Sequence, residues 1–169
     1  MHQAELALIY EYNSWSNGRI LDAAAQVSEQ QYIVPTSFPF HSLRGTLVHI
    51  VDTEYGWRTL IENAARSTRW EAKELTETDL PTFEEARARF RQEHANMLAY
   101  IAGLTDAGAS SIVRYEVDNG IFRERPVWHC IYHLINHGTQ HRGEAAAMLT
   151  DFGRSPGDLD FTVFMNERK

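Results

Sequence analysis

Apolar residues recur every three to four positions in three long stretches of this chain, and that period is typical of amphipathic α-helices. The stretches run from about residue 5 to 27, from about 42 to 65 and from about 83 to 103. In the first stretch the apolar positions are Leu6, Ile9, Tyr10, Trp15, Ile20, Leu21 and Ala24. The pattern therefore predicts three long helices, each with one face turned toward a common core.

Residues that interrupt or begin helices stand at the ends of these stretches. Pro35 and Pro39 break the chain between the first and the second stretch. Thr82 is the predicted N-cap of the third helix, and Glu85 three residues later completes a capping-box pattern. Gly103 is a natural stop for the same helix.

The period changes after the third helix. Residues 111–117 and 121–124 flank the tripeptide Asp118-Asn119-Gly120, and Asn-Gly between two such runs indicates a β-hairpin. Pro126 then suits the first turn of a fourth helix, which we expect to end near residues 152–153.

Together these elements predict an all-α fold. We expect an up-down four-helix bundle with a short β-hairpin before the fourth helix and a short C-terminal helix around residues 158–166. The chain has 169 residues, of which 43% are hydrophobic and 23% are charged. That composition is typical of a globular protein rather than a disordered one, and the length suits one domain over residues 1–169.

Charge and hydropathy argue against several classes of partner. The net charge is −7 and no Lys/Arg cluster offsets it, which disfavours nucleic-acid binding. No apolar stretch approaches the roughly 18–20 residues of a membrane helix, and the N-terminus lacks the basic and apolar regions of a secretory leader. Cys130 is the only cysteine, so no internal disulfide can form. We therefore expect a cytoplasmic protein with neither a nucleic-acid nor a membrane partner.

Four histidines recur at every fourth residue of the fourth predicted helix: His129, His133, His137 and His141. Adjacent members lie about 5–6 Å apart at Cβ, and neutral imidazole is a common ligand of transition metals. Each step of four residues turns by about 40°, so the first and last members diverge by about 120° and cannot share one ion. One adjacent pair must bind the metal, and the spacing alone does not say which.

Two histidines on one helix need a third protein ligand from another element. The candidates are His2, His41, His49 and His94. His49 is the strongest, because it lies mid-helix in the apolar stretch Leu47-Val48-His49-Ile50-Val51, where an imidazole without partners costs free energy. A single histidine of this kind is more often a hydrogen-bonded core residue, but four imidazoles in thirteen residues favour a metal site.

Other chemistry-bearing residues have simpler interpretations. Cys130 is a further ligand candidate, although an isolated helical cysteine is more often a small buried hydrophobic residue. The tryptophans are expected in the core or in pocket walls; they are Trp15, Trp57, Trp70 and Trp128. The sequence contains no Glu-x-x-His, no His-Glu-x-x-His and no Cys-x-x-Cys-His, which excludes di-iron carboxylate bundles, that class of zinc protease and covalent haem.

Several segments resemble the DinB-like (YfiT-like) metal-binding four-helix bundles. Residues 136–144, Asn-His-Gly-Thr-Gln-His-Arg-Gly-Glu, resemble their Asn-His-x-x-x-His-Arg-Gly-Gln segment. Residues 12–17, Tyr-Asn-Ser-Trp-Ser-Asn, resemble their N-terminal Tyr-Asn-x-Trp-Ala-Asn, and residues 155–160, Ser-Pro-Gly-Asp-Leu-Asp, resemble their closing Ser-Pro-x-Asp-Leu-Asp. The stretch 47–57 resembles the helix that donates their first ligand. The matching pieces span almost the whole chain.

The resemblance implies that His49, His137 and His141 are the three metal ligands. It leaves His133 as a residue of the pocket or of the groups around the ligands, and His129 as a structural residue. Glu144 departs from the family pattern, in which glutamine is common at that place. Its carboxylate could orient the imidazole of His141 or pair with a surface cation, and we expect the surface pair.

Three histidines leave at least one position on an ion for water or substrate, whereas structural zinc sites are usually closed by four protein ligands. The resemblance further implies a metal-dependent transferase that joins a low-molecular-weight thiol to a small electrophilic substrate. One divalent transition metal is expected to bind the thiolate; zinc or nickel is expected first, and iron or copper also suits three imidazoles. Candidates for proton transfer are His133, Asp52 and Glu54.

Two other functions stay open. A metal-binding or stress-response protein without turnover would share the ligands. A site packed shut by Trp57 and Trp128 would favour that function, and a substrate-sized cavity would favour an enzyme. A DNA-repair function is disfavoured by the negative charge. A homodimer paired through an exposed helix face is compatible with a bundle of this size.

Overall fold

The computed structural model of the chain describes residues 1–69, 72–117 and 120–168. The elements in these ranges are α1 (Gln3–Ala24), α2 (Glu29–Ile33), α3 (Leu43–Asn63), α4 (Phe83–Ala102), α5 (Asp106–Ser110), β1 (Ile112–Glu116), β2 (Phe122–Pro126), α6 (Val127–Asp151) and α7 (Phe161–Glu167). The helical fold, the hairpin before the last long helix and the short C-terminal helix are confirmed. The expected roles of Trp70, and of Asp118 and Asn119 in the hairpin turn, lie outside the described residues.

Side-chain caps begin α3 and α4 close to the residues where the sequence predicts their starts. Thr82 and Glu85 form the expected capping box of α4, in which each side chain accepts a hydrogen bond from the other residue's backbone N–H. Ser42 caps α3 by accepting a hydrogen bond from the backbone N–H of Gly45. Pro126 differs slightly from the prediction, since it ends β2 and is the N-cap of α6 rather than a residue of its first turn.

The structure adds two five-residue helices, α2 and α5, that the apolar pattern does not predict. Five residues cover less than two turns, so no period can be recognised in them. Each begins at a hydroxyl cap, Ser28 for α2 and Thr105 for α5. Because Ser28 starts a new helix, α1 ends at Ala24, short of the predicted residue 27.

The four long helices pack as neighbours in the order α1, α6, α3, α4 around the bundle. This order places α1 diagonally across from α3. α1 and α4 run antiparallel, because Gln3 at the start of α1 hydrogen-bonds the carbonyl of Ile101 at the end of α4. Near the other end, Arg87 donates a hydrogen bond to Asp22.

α3 and α4 run in the same direction. Arg44 at the start of α3 reaches the carbonyl of Pro81 just before α4, and Arg58 further along α3 pairs with Glu93 further along α4. The chain between them, residues 64–82, is long enough to return across the bundle. Along the sequence the four long helices therefore point up, down, down and up. This order differs from the expected up-down alternation, because the long connection between α3 and α4 lets both helices start at the same end of the bundle.

α3 and α6 are antiparallel neighbours, and the contacts between them lie at the level of the histidines. His49 of α3 faces His137 of α6, and Trp57, two turns later on α3, contacts His133, one turn earlier on α6. The packing of these two helices is what brings histidines from separate parts of the sequence together.

Two apolar clusters form the core, one toward each end of the bundle. Between them, buried polar side chains from all four long helices form what we call the polar layer: Asn13, Asn17, Glu54, Arg58, Glu93 and Arg142. Such groups are costly to bury unless they are hydrogen-bonded to one another. The polar layer therefore restricts how the four helices can be rotated.

The β-hairpin packs against the start of α6. Its strands pair antiparallel, with Val113 opposite Arg125 and Tyr115 opposite Arg123. Val113 and Tyr115 are buried, and the carbonyl of Ser111 accepts a hydrogen bond from the first backbone N–H of α6 at 3.0 Å. The hairpin thereby forms a wall beside the first two turns of α6.

Within the described ranges, no helix combines the length and apolar character needed to cross a bilayer. The expectation of one domain over residues 1–169 stays a prediction.

Glu93 tests the importance of the buried charges. Its side chain is fully buried and accepts hydrogen bonds from Arg58, so Glu93→Gln leaves a buried guanidinium without a full counter-charge. We expect a loss of about 2–4 kcal/mol in the free energy of unfolding, measured by urea denaturation. Glu84→Gln, at an exposed position of the same helix, should cost less than about 1 kcal/mol. Equal unfolding midpoints for the two variants would contradict this role.

Candidate metal centre

Three imidazole rings meet between α3 and α6. Nε2 of His49 lies 3.1 Å from Nε2 of His137, and Nε2 of His137 lies 3.2 Å from Nε2 of His141. The three potential ligand atoms all lie within 4.8 Å of one another. We call these residues the histidine triad; they are the three that the family resemblance selects.

The spacing between the nitrogen atoms suits a transition metal. Imidazole nitrogens bind zinc at about 2.0–2.1 Å, so two ligands of one ion lie about 3.0–3.4 Å apart. Both measured separations fall in this range. The histidine triad could therefore hold a metal ion without rearrangement of its helices.

Glu144 determines how His141 is oriented. Its Oε2 atom lies 2.8 Å from Nδ1 of His141, one turn back along α6. A carboxylate only accepts hydrogen bonds, so Nδ1 must carry the proton, which leaves the lone pair of Nε2 directed at the other two rings. The expected surface pair of Glu144 with a cation is therefore wrong, because the (i, i+3) spacing places its carboxylate beside the imidazole.

The other two rings of the triad are held differently. His49 stacks on Phe40 with ring centroids 3.7 Å apart, and the edge of His141 meets the same phenyl ring at 5.2 Å. The loop that carries Phe40 continues through His41, whose φ of 60° is unusual for a residue other than glycine. Nδ1 of His137 is buried and has no hydrogen-bond partner among the described residues. His137 is thus the triad member that has a buried ring nitrogen without a hydrogen bond.

Burial keeps two of the three imidazoles neutral. It lowers the pKa of His49 to about 4, and the neighbouring His141 lowers it further in the same direction. The pKa of His137 also falls to about 4, first through burial and then through the adjacent imidazoles. Neutral rings keep the lone pairs that a metal requires.

The remaining histidines lie outside the triad. The ring of His133 contacts Trp57 at 5.0 Å and His137 at 5.9 Å between centroids, so it lies beside the triad. His129 packs edge-on against Trp128 at 3.9 Å. Two further histidines have partners elsewhere in the fold: His2 is hydrogen-bonded to Asp106 and His94 to Ser14. His41 lies in the loop before α3 and lines the same cavity as His49 without belonging to the triad.

The two carboxylates expected near His49 have different surroundings. Asp52 is half-buried, and its Oδ1 accepts a hydrogen bond of 2.7 Å from the backbone N–H of Leu75. Burial raises the pKa of Asp52. Glu54 is buried across the bundle from the triad and accepts hydrogen bonds from Tyr10, Asn13 and Asn17. Glu54 is consequently a structural residue of the polar layer rather than a group available for proton transfer.

The polar layer is the part of this region that sequence reasoning missed. Arg142, next to the triad member His141, is 1% exposed and donates hydrogen bonds to Asn13 at 2.6 Å and to Asn17 at 3.1 Å. The amide groups of the same asparagines donate to Glu54. A recognisable signal was present, since these polar residues occupy positions of the helical period that otherwise carry apolar core residues.

Two cavities lie near the triad, one lined by its neighbour His133 and the other by its member His49. The larger, of about 590 Å³, is lined by Trp57, Trp128 and His133 among others, and it lies beside the start of α6. The smaller, of about 370 Å³, is lined by His49, Asp52 and the loop of Phe40. Trp57 and Trp128 thus line a cavity of substrate size rather than closing the site. Cys130 also lines the larger cavity, and burial raises the pKa of its thiol to about 11.

Comparison with known proteins gives one family and one distant relative. The DinB family model matches residues 1–169. Protein DinB of Bacillus subtilis (strain 168) is 25% identical over 162 residues, which cover 93% of this chain and 91% of that protein.

Gly138 tests the contact between α6 and the polar layer. A Cβ atom at this position would lie 2.7 Å from Nη1 of Arg142 and 3.3 Å from Oδ1 of Asn13. Because the buried guanidinium is held by hydrogen bonds, it cannot move aside freely, and we expect Gly138→Ala to lower the free energy of unfolding by about 1–3 kcal/mol. Gly143→Ala is the matched control, since its Cβ meets nothing within 4 Å and should stabilise α6 by up to about 1 kcal/mol. Urea denaturation measures both, and a stabilised Gly138→Ala protein would refute the tight contact.

The low pKa values of His49 and His137 predict how stability depends on pH. In the unfolded chain an imidazole has a pKa of about 6.5, whereas both folded values are about 4. Between these values the unfolded state binds more protons, so metal-free protein should lose stability as the pH falls from about 6.5 toward 4. The unfolding midpoint in urea, measured after chelation at pH 7 and pH 5, should fall less for the double variant His49→Gln, His137→Gln. The same fall in both proteins would show that other groups are responsible.

Proposed function

Since this chain belongs to the DinB family, we propose that His49, His137 and His141 bind one divalent transition metal ion and that the bound ion serves a thiol-dependent transferase. The observation that carries the proposal is the convergence of three Nε2 atoms, with separations of 3.1 and 3.2 Å, at a single point between α3 and α6. Histidines that are only hydrogen-bonded core residues have no need to direct three Nε2 atoms at one point.

The donor set favours particular metals. Three neutral imidazoles suit zinc, nickel, copper or iron, and they are less suited to calcium or magnesium, which prefer oxygen ligands. Glu144 supports this assignment, because a carboxylate on the far nitrogen of a ligating histidine orients the ring and increases its basicity. Zinc and nickel are the ions we propose first.

Several side chains would position the ligands. The hydrogen bond from His141 to Glu144 directs Nε2 of His141 inward, and the stack of Phe40 on His49 restricts that imidazole in the same way. Arg142 follows His141, and its hydrogen bonds to the polar layer fix the rotation of α6 about its axis. The ligands are thus arranged before any ion arrives, which lowers the entropic cost of binding it.

An open site beside a cavity supports catalysis rather than a purely structural ion. Three protein ligands leave a position free on a tetrahedral ion, and the cavity of about 590 Å³ lies in the range of small-molecule sites. When bound, the ion supplies a positive charge that favours the thiolate form of a thiol substrate. In the proposed reaction, the sulfur of a low-molecular-weight thiol adds to the electrophilic carbon of an activated double bond: the S–H bond and the π bond break, the new carbon–sulfur bond forms, and the proton released from sulfur ends on the neighbouring carbon.

His133 is the residue we assign to the thiol proton. It lines the larger cavity, and its ring centroid lies 5.9 Å from that of His137, so it is the histidine that connects the cavity with the triad. Asp52 is the second candidate, but it lines the other cavity and its carboxylate is engaged by the backbone of Leu75. The geometry therefore favours His133.

The alternative is a protein that binds metal, for example in a stress response, without turnover. It is favoured by the arrangement of His133 and Asp52, which line different cavities and do not form a catalytic pair. Thiol consumption by the metal-loaded protein separates the two functions: turnover that disappears in His137→Ala marks an enzyme. A cytoplasmic location and a homodimer stay predictions.

Metal content tests the ligand assignment. Untagged wild-type protein should contain about one ion per chain by elemental mass spectrometry, and His137→Ala should contain almost none, because two imidazoles on different helices cannot retain it. His129→Ala is the matched control from the same helix and should keep its ion, since His129 packs on Trp128 outside the triad. Loss of the metal in His129→Ala, or a well-folded wild type without metal, would overturn the proposal.

A further inference from the structure

The larger cavity has flat aromatic walls. Trp57, Tyr115 and Trp128 line it, and Trp57 meets Tyr115 edge-on with ring centroids 5.5 Å apart. These rings come from α3, from the hairpin and from α6, so the cavity exists because the three elements pack together. Aromatic walls of this kind suit a ligand with a flat, unsaturated body.

The same cavity is electrically distinct from the rest of the chain. Arg125 lines it, and none of the described lining residues carries a carboxylate, although the whole chain has a net charge of −7. The guanidinium of Arg125 donates a hydrogen bond to the carbonyl of Glu124 and forms no ion pair with a described residue. Its remaining donors are therefore available to an acceptor in the cavity.

The charge of Arg125 reaches groups inside the cavity. Burial raises the pKa of Cys130 and of Tyr115, and in both cases Arg125 acts in the opposite direction by favouring the anionic form. A carboxylate placed between Arg125 and these residues would experience the same favourable field.

The smaller cavity has the opposite character. Asp52, Glu74 and Glu77 line it, next to His49. Glu77 is paired with Arg44, but Asp52 and Glu74 add further carboxylates to this lining, so an organic anion is disfavoured here relative to the larger cavity.

We propose that the larger cavity binds a small organic anion with a flat aromatic or unsaturated body, which lies against Trp57 and Trp128 while its carboxylate accepts hydrogen bonds from Arg125. The assignment of this anion as the electrophilic substrate rests on the proposed thiol transfer. The binding of the anion does not depend on that function. In this position the end of the ligand away from Arg125 lies toward His133 and the triad.

Benzoate and benzamide are a matched pair of probes, because they have the same ring and differ in charge. Titration of the metal-loaded protein, followed by calorimetry and tryptophan fluorescence, should give benzoate an affinity about tenfold or more above that of benzamide. Arg125→Gln should remove this preference and leave benzamide binding unchanged. Arg114→Gln is the control, since Arg114 is exposed on the other face of the hairpin, over Phe122, and its loss changes the net charge equally.

Each other outcome contradicts a specific part of the argument. Equal affinities for the two probes, a preference that survives in Arg125→Gln, or no saturable binding of either probe overturns the anion site. Titration of His137→Ala protein separates this inference from the metal proposal. If His137→Ala protein still prefers benzoate, the result supports a site at Arg125. If His137→Ala loses the preference for benzoate and Arg125→Gln keeps it, the anion binds at the triad instead. Wild type without metal but with benzoate preference would refute the proposed function and leave the anion site standing.

Discussion

A positive charge in the middle of a helical bundle requires acceptors on every side, and the guanidinium of Arg142 meets this requirement with side chains from α1 and α6. Asn13 and Asn17 accept its hydrogen bonds, and their amide groups donate in turn to Glu54 of α3. A buried charge without such partners costs several kcal/mol. Consequently the three helices can pack only in the rotations that keep this chain of hydrogen bonds closed.

The arrangement of the histidine triad depends on that restriction. Successive residues of a helix are about 100° apart, so a fixed Arg142 on the α1 side also fixes His141 on the α3 side. His137 and Gly138 repeat the relation one turn earlier: the imidazole faces α3, and the missing side chain leaves room for the guanidinium. The polar layer therefore holds the triad in place without contributing a ligand.

The two cavities near the triad differ in the charge of the residues that line them. Carboxylates line the cavity beside His49, whereas a guanidinium and aromatic rings line the cavity beside His133. The proposed thiol transfer would require two unlike molecules at one centre, and two cavities of opposite character are compatible with that proposal. The hairpin supplies Tyr115 and Arg125 to the larger cavity, and the loop of Phe40 supplies part of the smaller one, so elements outside the four long helices distinguish the two cavities.

The sequence by itself determined the features that depend on neighbours along the chain. The apolar period predicted the long helices, Thr82 and Ser42 mark their starts, and the step of four places His137 and His141 on one face. The apolar pattern did not predict α2 and α5, because five residues are too few to show a helical period. The apolar surroundings of His49 made it the strongest third ligand, and the family resemblance, rather than spacing, selected His137 and His141 as the pair that accompanies it.

Only the tertiary structure decided the features that depend on distant residues. The burial of Glu54 and the cavity at Trp57 both follow from which helices pack against each other. Glu54 lies 41 residues from Asn13, and His49 lies 88 from His137, so no local pattern encodes these contacts. These contacts form only when the four helices pack and their buried polar side chains form hydrogen bonds and ion pairs with one another.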